Sequence, residues 1–155
     1  KVEQLASGER GLIQGFENQG LTIYQAVILA SIVQREAMID DEMPQIASVF
    51  FNRMAAGMKL DSDPTVQYAL GFNPGQNTWW TNPLSLDNLR YDSLYNTYLY
   101  PGLPPGPIAN PGLSALKAVA APAQTPYYYF RATCDGSGRH AFAVTFEEHQ
   151  QNACP

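Results

Sequence analysis

Apolar positions recur at helical spacing through most of the chain and turn to short β-prone runs only near its end. The pattern predicts a series of helices closed by a small hairpin. Val2, Leu5, Leu12, Ile13 and Phe16 form the stripe of a first amphipathic helix, which Asn18-Gln19-Gly20 ends. Residues 22–36 read Thr-Ile-Tyr-Gln-Ala-Val-Ile-Leu-Ala-Ser-Ile-Val-Gln-Arg-Glu, an apolar helix that Thr22 and Gln25 open with a capping box. Pro44 then stands at the start of a third helix with the stripe Ile46, Val49, Phe50 and Met54, which Gly57 stops. Asp63 as cap, Pro64 in the first turn and Gly71 as terminator predict a short fourth helix.

Residues 72–83, rich in Asn, Pro, Gly and Trp, have no period and read as a surface loop; residues 85–89 allow one more helical turn. The run Pro101-Gly102-Leu103-Pro104-Pro105-Gly106-Pro107 fixes the backbone without regular structure. Asn110 and Pro111 open another helix through Leu113, Leu116 and Val119. Residues 127–133 and 140–145 are β-prone and flank a turn with two glycines, Gly136 and Gly138, so they predict a hairpin. Thr145 and Glu148 make a second capping box for a last helix carrying His149. The fold class is therefore α+β, a mostly helical single domain over residues 1–155 with a small antiparallel hairpin.

Composition narrows the partners. Apolar residues make up 45% of the 155 and aromatic residues 12%, which suits a folded chain with a core. The net charge of −5 and the lack of Lys/Arg clusters argue against nucleic acid. The chain starts at Lys1 and holds no apolar run of roughly 18 residues, so it is expected to be a soluble part of something longer. Cys134 and Cys154 permit one disulfide in an oxidising compartment, or two reduced thiols.

Candidate chemistry centres on Glu36. It extends the stripe of Leu29, Ile32 and Val33 at the C-terminal end of its helix, where burial and the helix dipole both raise a carboxyl pKa. A carboxylic acid still protonated near neutrality can act as a general acid. The alternative is a buried glutamate paired with Arg35 or Arg53. For a two-carboxylate glycosidase the partner would come from Asp61, Asp63 or Asp92, but each has a simpler reading as a cap or loop residue. Gly136-Ser137-Gly138 near His140 lacks the strand-turn-helix of a nucleophile elbow. His140 and His149 have no matching ligand set, so no metal is expected.

Several stretches together resemble the MltG-like (YceG-like) endolytic murein transglycosylases. They are Leu29-Ala30-Ser31-Ile32-Val33-Gln34-Arg35-Glu36-Ala37, Ile46-Ala47-Ser48-Val49-Phe50-Phe51-Asn52-Arg53-Met54, and Gly57-Met58-Lys59-Leu60-Asp61-Ser62-Asp63-Pro64-Thr65-Val66-Gln67-Tyr68. Tyr95-Asn96-Thr97-Tyr98, Gly102-Leu103-Pro104-Pro105-Gly106-Pro107-Ile108, Pro126-Tyr127-Tyr128-Tyr129-Phe130 and His140-Ala141-Phe142 continue the match in order. The resemblance implies an extracytoplasmic enzyme that cuts peptidoglycan strands between N-acetylmuramic acid and N-acetylglucosamine, leaving a 1,6-anhydro end. It implies Glu36 as the catalytic acid and base. It also implies a membrane anchor and a LysM-like domain outside these residues, and wall-synthesis proteins as partners.

The family usually carries two glutamates spaced by two on this helix; here Gln34 holds the first position and Gln150 stands where many relatives have Asn. Gln67, Tyr68, Asn96, Tyr98 and His140 are the candidates for substrate positioning, with the loop 103–107 as a rigid wall. No cofactor is expected: a pyridoxal-phosphate lyase would need a Schiff-base lysine beside a phosphate cup, and Lys1, Lys59 and Lys117 have none. A non-catalytic wall-binding module, with Glu36 merely paired, is the remaining alternative.

Overall fold

The computed structural model describes residues 2–155; the side chains of residues 2–7 and 9 are outside that description, and with them the expected places of Val2 and Leu5 in the first stripe. Helices α1 (Val2–Asn18), α2 (Ile23–Glu36), α3 (Met43–Ala55), α4 (Asp63–Leu70) and α5 (Leu113–Ala120) precede the strands β1 (Tyr129–Ala132) and β2 (His140–Ala143), and α6 (Phe146–Gln151) follows them. The α+β class expected from the pattern is the one observed. Two short 3₁₀ turns, Asp40–Glu42 and Asn88–Arg90, join longer elements. Among the described residues no helix is long and apolar enough to cross a membrane.

Helix α2 is the axis of the core. Ala26, Leu29, Ala30, Ile32 and Val33 are fully buried, and the unbroken buried run 28–33 shows that its middle turns are covered on every side, while Ile23 and Tyr24 of its first turn are exposed. Each fully buried Leu or Ile contributes about 1.5–3 kcal/mol relative to exposure. The start of α2 is set as predicted: Thr22 Oγ1 accepts from the Gln25 amide at 3.2 Å, and Gln25 Oε1 accepts from the Thr22 amide at 3.0 Å. Ile46, Ala47 and Phe50 of α3 and Ala115, Ala118 and Val119 of α5 close on it. Phe16 of α1 joins this cluster, whereas Ile13 of the predicted stripe is exposed. Helix α1 crosses α5 closely at Gly15. A Cβ there would meet Ala120 Cβ at 2.6 Å and its carbonyl oxygen at 2.8 Å, so a side chain would force the helices apart.

The loop 101–107 lies along α2. Ser31 Oγ accepts from the Ile108 amide at 3.0 Å, and Tyr24 Oη donates to the Pro105 carbonyl at 3.1 Å. Helix α5 starts later than Asn110 and Pro111 predict: Gly112 is its cap residue, and that amide donates to Gln34 Oε1 at 2.9 Å. Gln34 thus satisfies the backbone N–H of the residue that opens α5.

The polar side of α3 carries the hairpin. Asn52 Nδ2 donates to the Thr125 and Tyr127 carbonyls at 2.9 and 2.8 Å, and Arg53 Nε donates to the Tyr128 carbonyl at 2.6 Å. The strands are antiparallel, with Phe130 opposite Phe142 and Ala132 opposite His140. Phe130 packs edge-on to Phe50 at 5.8 Å, which ties the sheet to the core. Helix α6 opens with the predicted capping box, and a Cys134–Cys154 disulfide returns the C-terminus to the hairpin.

Candidate active site

A cleft of about 520 Å³ opens between the end of α2 and the hairpin. Glu36, Asp61, Asp63 and Tyr98 line one side, and Tyr129, Arg131, His140 and His149 the other. Glu36 is the last residue of α2, and its Oε1 accepts a 2.6 Å hydrogen bond from Ser62 Oγ. Burial pushes the Glu36 carboxyl up to about 7; the Ser62 hydroxyl opposes the shift and the neighbouring Asp63 charge adds to it. The group is therefore a mixture of acid and carboxylate at neutral pH.

Neither arginine considered as a partner meets Glu36. The Arg35 guanidinium lies 3.6 Å over the Trp80 ring, and Arg53 pairs with Asp61 at 3.3 Å while donating to the Lys59 carbonyl at 2.7 Å. Glu36 has no cationic partner among the described residues.

Ser62 is held by a buried knot of hydroxyls. Its amide donates to Thr97 Oγ1 at 2.9 Å, Thr65 Oγ1 donates to its carbonyl at 2.7 Å, and the two threonine hydroxyls are 2.9 Å apart. These contacts lock residues 61–63 to 96–98. Asp63, predicted as a cap, makes no capping bond: it lies inside α4, and its Oδ1 accepts from Tyr98 Oη at 2.6 Å. Burial first, and then the hydrogen bond to Asp63, hold the Tyr98 phenol well above its ordinary pKa, so Tyr98 remains a donor. Asp61 enters the cleft from a backbone with φ of +50°, a left-handed conformation that costs about 1 kcal/mol outside glycine.

On the far side, Glu42 anchors the hairpin. Only 5% exposed, it lies 2.9 Å from His140 Nδ1 and accepts from the His140 amide at 3.2 Å. His149 stacks on Tyr129 at 5.2 Å, and its Nδ1 is buried without a hydrogen-bond partner. Burial, and then the charges of Arg131 and Arg53, hold the His149 ring below its ordinary pKa, so it presents a neutral imidazole to the cleft.

A profile of the YceG-like family matches residues 2–154. The chain belongs to the YceG-like family. It is 37% identical over 131 residues to the endolytic murein transglycosylase of Bacillus subtilis strain 168, a match covering 84% of this chain and 34% of that protein. With the endolytic murein transglycosylase of Streptococcus pneumoniae strain D39 it shares 31% identity over 153 residues, 97% of this chain and 27% of that one. The crystal structure of a YceG-like protein of Listeria monocytogenes superposes with a TM-score of 0.78 at 37% identity, over 88% of this chain and 42% of that one. The chain thus spans about a third or less of the length of these curated relatives.

Of the residues expected at the site of this YceG-like chain, Glu36, Tyr98 and His140 share the cleft. Asn96 does not reach it. It is fully buried, its Nδ2 donates to the Leu89 and Tyr91 carbonyls, and its Oδ1 accepts from the Tyr98 amide, so it shapes the loop that carries Tyr98. Gln67 binds the Thr81 carbonyl at 2.8 Å and holds the loop 72–83, while Tyr68 lines a separate hollow. Asp63, weighed as a cap or second acid, and His149, weighed as a metal ligand, also line the cleft; Ser62 and Glu42, which the sequence reading did not single out, hold its Glu36 and His140. The Asp-Ser-Asp run ahead of Pro64 was the sequence signal for Ser62.

Proposed function

We propose that this chain is the bond-cleaving part of a peptidoglycan lytic transglycosylase. The observation that carries the reading is Glu36, a carboxyl with a pKa near 7, bound by a serine hydroxyl and unpaired with any cation among the described residues, at the edge of a cleft large enough for sugar rings. The names of the relatives supply the substrate class.

In this mechanism protonated Glu36 donates to the glycosidic oxygen between N-acetylmuramic acid and N-acetylglucosamine as the C1–O bond breaks. The resulting carboxylate takes the proton of the muramyl 6-hydroxyl, whose oxygen bonds to C1 and closes the 1,6-anhydro ring. No water is consumed, and Glu36 ends protonated. In this reading Ser62 orients the carboxyl, and Tyr98 and His140, which line the cleft, bind sugar substituents. The longer protein acts at the extracytoplasmic face of the bacterial cytoplasmic membrane, held by an anchor and working beside wall-synthesis proteins.

Asp61 favours a second reading. A carboxylate facing the same cleft can activate water, which would make the reaction a hydrolysis with two acidic groups. Mass spectrometry of digested peptidoglycan separates the two. Anhydro-ended fragments, lighter by one water, support the transglycosylase; reducing ends support hydrolysis; no fragments from the full-length protein overturn both.

A further inference from the structure

The chemistry above leaves a second hollow unused. It has a volume of about 510 Å³ and is lined by Tyr68, Gly71, Trp79, Trp80 and Ile108. Its aromatic walls face solvent: Trp79 is 64% and Tyr68 42% exposed. Exposed aromatics grouped around a concavity mark a binding surface more often than a packing defect.

The loop that presents the tryptophans is stiff. Asn73 and Thr78 exchange backbone hydrogen bonds at 2.7 and 3.3 Å, Asn73 Oδ1 accepts from the Gly75 and Gln76 amides, and Gln67 and Asn73 both bind Thr81. The platform is therefore formed before any ligand arrives, which lowers the entropy cost of binding.

Arg35 adds charge at the rim. Its guanidinium carbon lies 3.6 Å from the centre of the Trp80 ring, a stacking distance that engages its face and leaves N–H groups at its edge for donation. Arg53, Arg90 and Arg139 are paired with Asp61, Asp87 and Asp41, but among the described residues Arg35 has no carboxylate partner. Arg35 also directly precedes Glu36, so the hollow adjoins the cleft along the end of α2.

We propose that this hollow is a second subsite for the same wall glycan. A pyranose ring of the N-acetylated strand lies on the faces of Trp79 and Tyr68, and the edge of Arg35 binds a carboxylate carried by that strand. The C–H face of a pyranose complements the negative face of an aromatic ring, and a planar guanidinium matches a carboxylate through paired hydrogen bonds. The carboxylate is either the lactyl group of a peptide-free strand or an acid of the attached peptide. The assignment rests on the peptidoglycan reading above.

Both tryptophans of the chain lie in this hollow, so intrinsic fluorescence reports on it directly. The test uses Glu36→Gln protein, which leaves substrates uncut, titrated with neutral chito-oligosaccharide, peptide-free glycan strands and peptide-bearing strands, with calorimetry in parallel. Trp79→Ala is expected to weaken all three roughly threefold to tenfold. Arg35→Gln is expected to weaken the anionic strands about tenfold or more and to spare the neutral sugar. Arg35→Lys should recover only part of that loss, because lysine cannot stack flat on Trp80. Loss confined to one kind of anionic strand assigns the carboxylate to the lactyl group or to the peptide.

Calorimetric binding without a change in tryptophan emission, or unchanged affinity in Trp79→Ala, overturns the subsite. Equal loss for neutral and anionic ligands in Arg35→Gln overturns the carboxylate contact. No binding to any strand, together with no cleavage by the parent, overturns this proposal and the peptidoglycan reading together. Cleavage by the parent with all variants binding like it overturns the subsite alone.

Discussion

The two hollows beside the end of α2 are built from opposite materials. The cleft around Glu36 is lined by many titratable groups, with Glu36 bonded by Ser62 and Asp63 by Tyr98, whereas the hollow around Trp79 is walled by aromatic faces with Arg35 at its rim. The first has the means to shift a pKa, and the second has surface for binding. Consecutive residues point about 100° apart around a helix, so Arg35 and Glu36 can serve different walls from one helix end. On the proposed reading, proton transfer and ligand holding are divided between neighbours in the chain.

The sharpest way to separate the two regions is Glu36→Gln, expected to lower turnover of peptidoglycan by about 10²- to 10⁴-fold. Soluble fragments counted by mass spectrometry give the rate, and retained tryptophan quenching by glycan would show the second hollow untouched. A variant that still cuts at the parental rate would remove Glu36 from the chemistry.

The same substitution tests the burial of the acid through stability. The folded pKa of about 7 lies above the ordinary 4.5, so the folded state binds the proton more tightly than the unfolded chain. Parental stability should therefore fall as pH rises from 4.5 through 7 and level off beyond, by up to about 3 kcal/mol. Glu36→Gln lacks that loss and should be the more stable protein at pH 8, with little difference at pH 4, in urea melts at the two pH values.

Much of the architecture was readable from the chain. Local signals sufficed where the interaction is local: the capping boxes of Thr22 with Gln25 and Thr145 with Glu148, and the glycines of the hairpin turn, are all found where expected. Glu36 was visible for the same reason, since one apolar helix displays it. The rest of the site depends on contacts distant in sequence. Ser62 reaches Glu36 across 26 positions and His140 reaches Glu42 across 98, and no periodicity encodes either. Asn96 was misread because a polar side chain in an aperiodic loop has two uses, and here backbone carbonyls claim it. The short helix start misled at Asp63, where Tyr98 takes the carboxylate that a cap would have used.

Smaller effects probe the polar cleft alone. Tyr98→Phe leaves the Asp63 carboxylate without its donor and is expected to lower kcat about tenfold, with the tryptophan titration unchanged. An equal loss in glycan affinity would instead place Tyr98 in ground-state binding. Ser62→Ala removes the hydrogen bond that opposes the raised pKa of Glu36. The alkaline limb of the rate profile, which in the parent should fall through about pH 7 as the acid ionises, is expected to move to higher pH by up to about one unit. A limb that stays in place would show that Ser62 does not act on the ionisation of Glu36.

The hydroxyl knot of Ser62, Thr65 and Thr97 gathers segments that are far apart in the chain around an acid that precedes them all. Until those later segments have been made and packed, Glu36 is an ordinary carboxylate that titrates near 4.5 and carries no usable proton at neutral pH. The raised pKa of Glu36 is thus a product of the finished fold, and a nascent or partly unfolded chain lacks it.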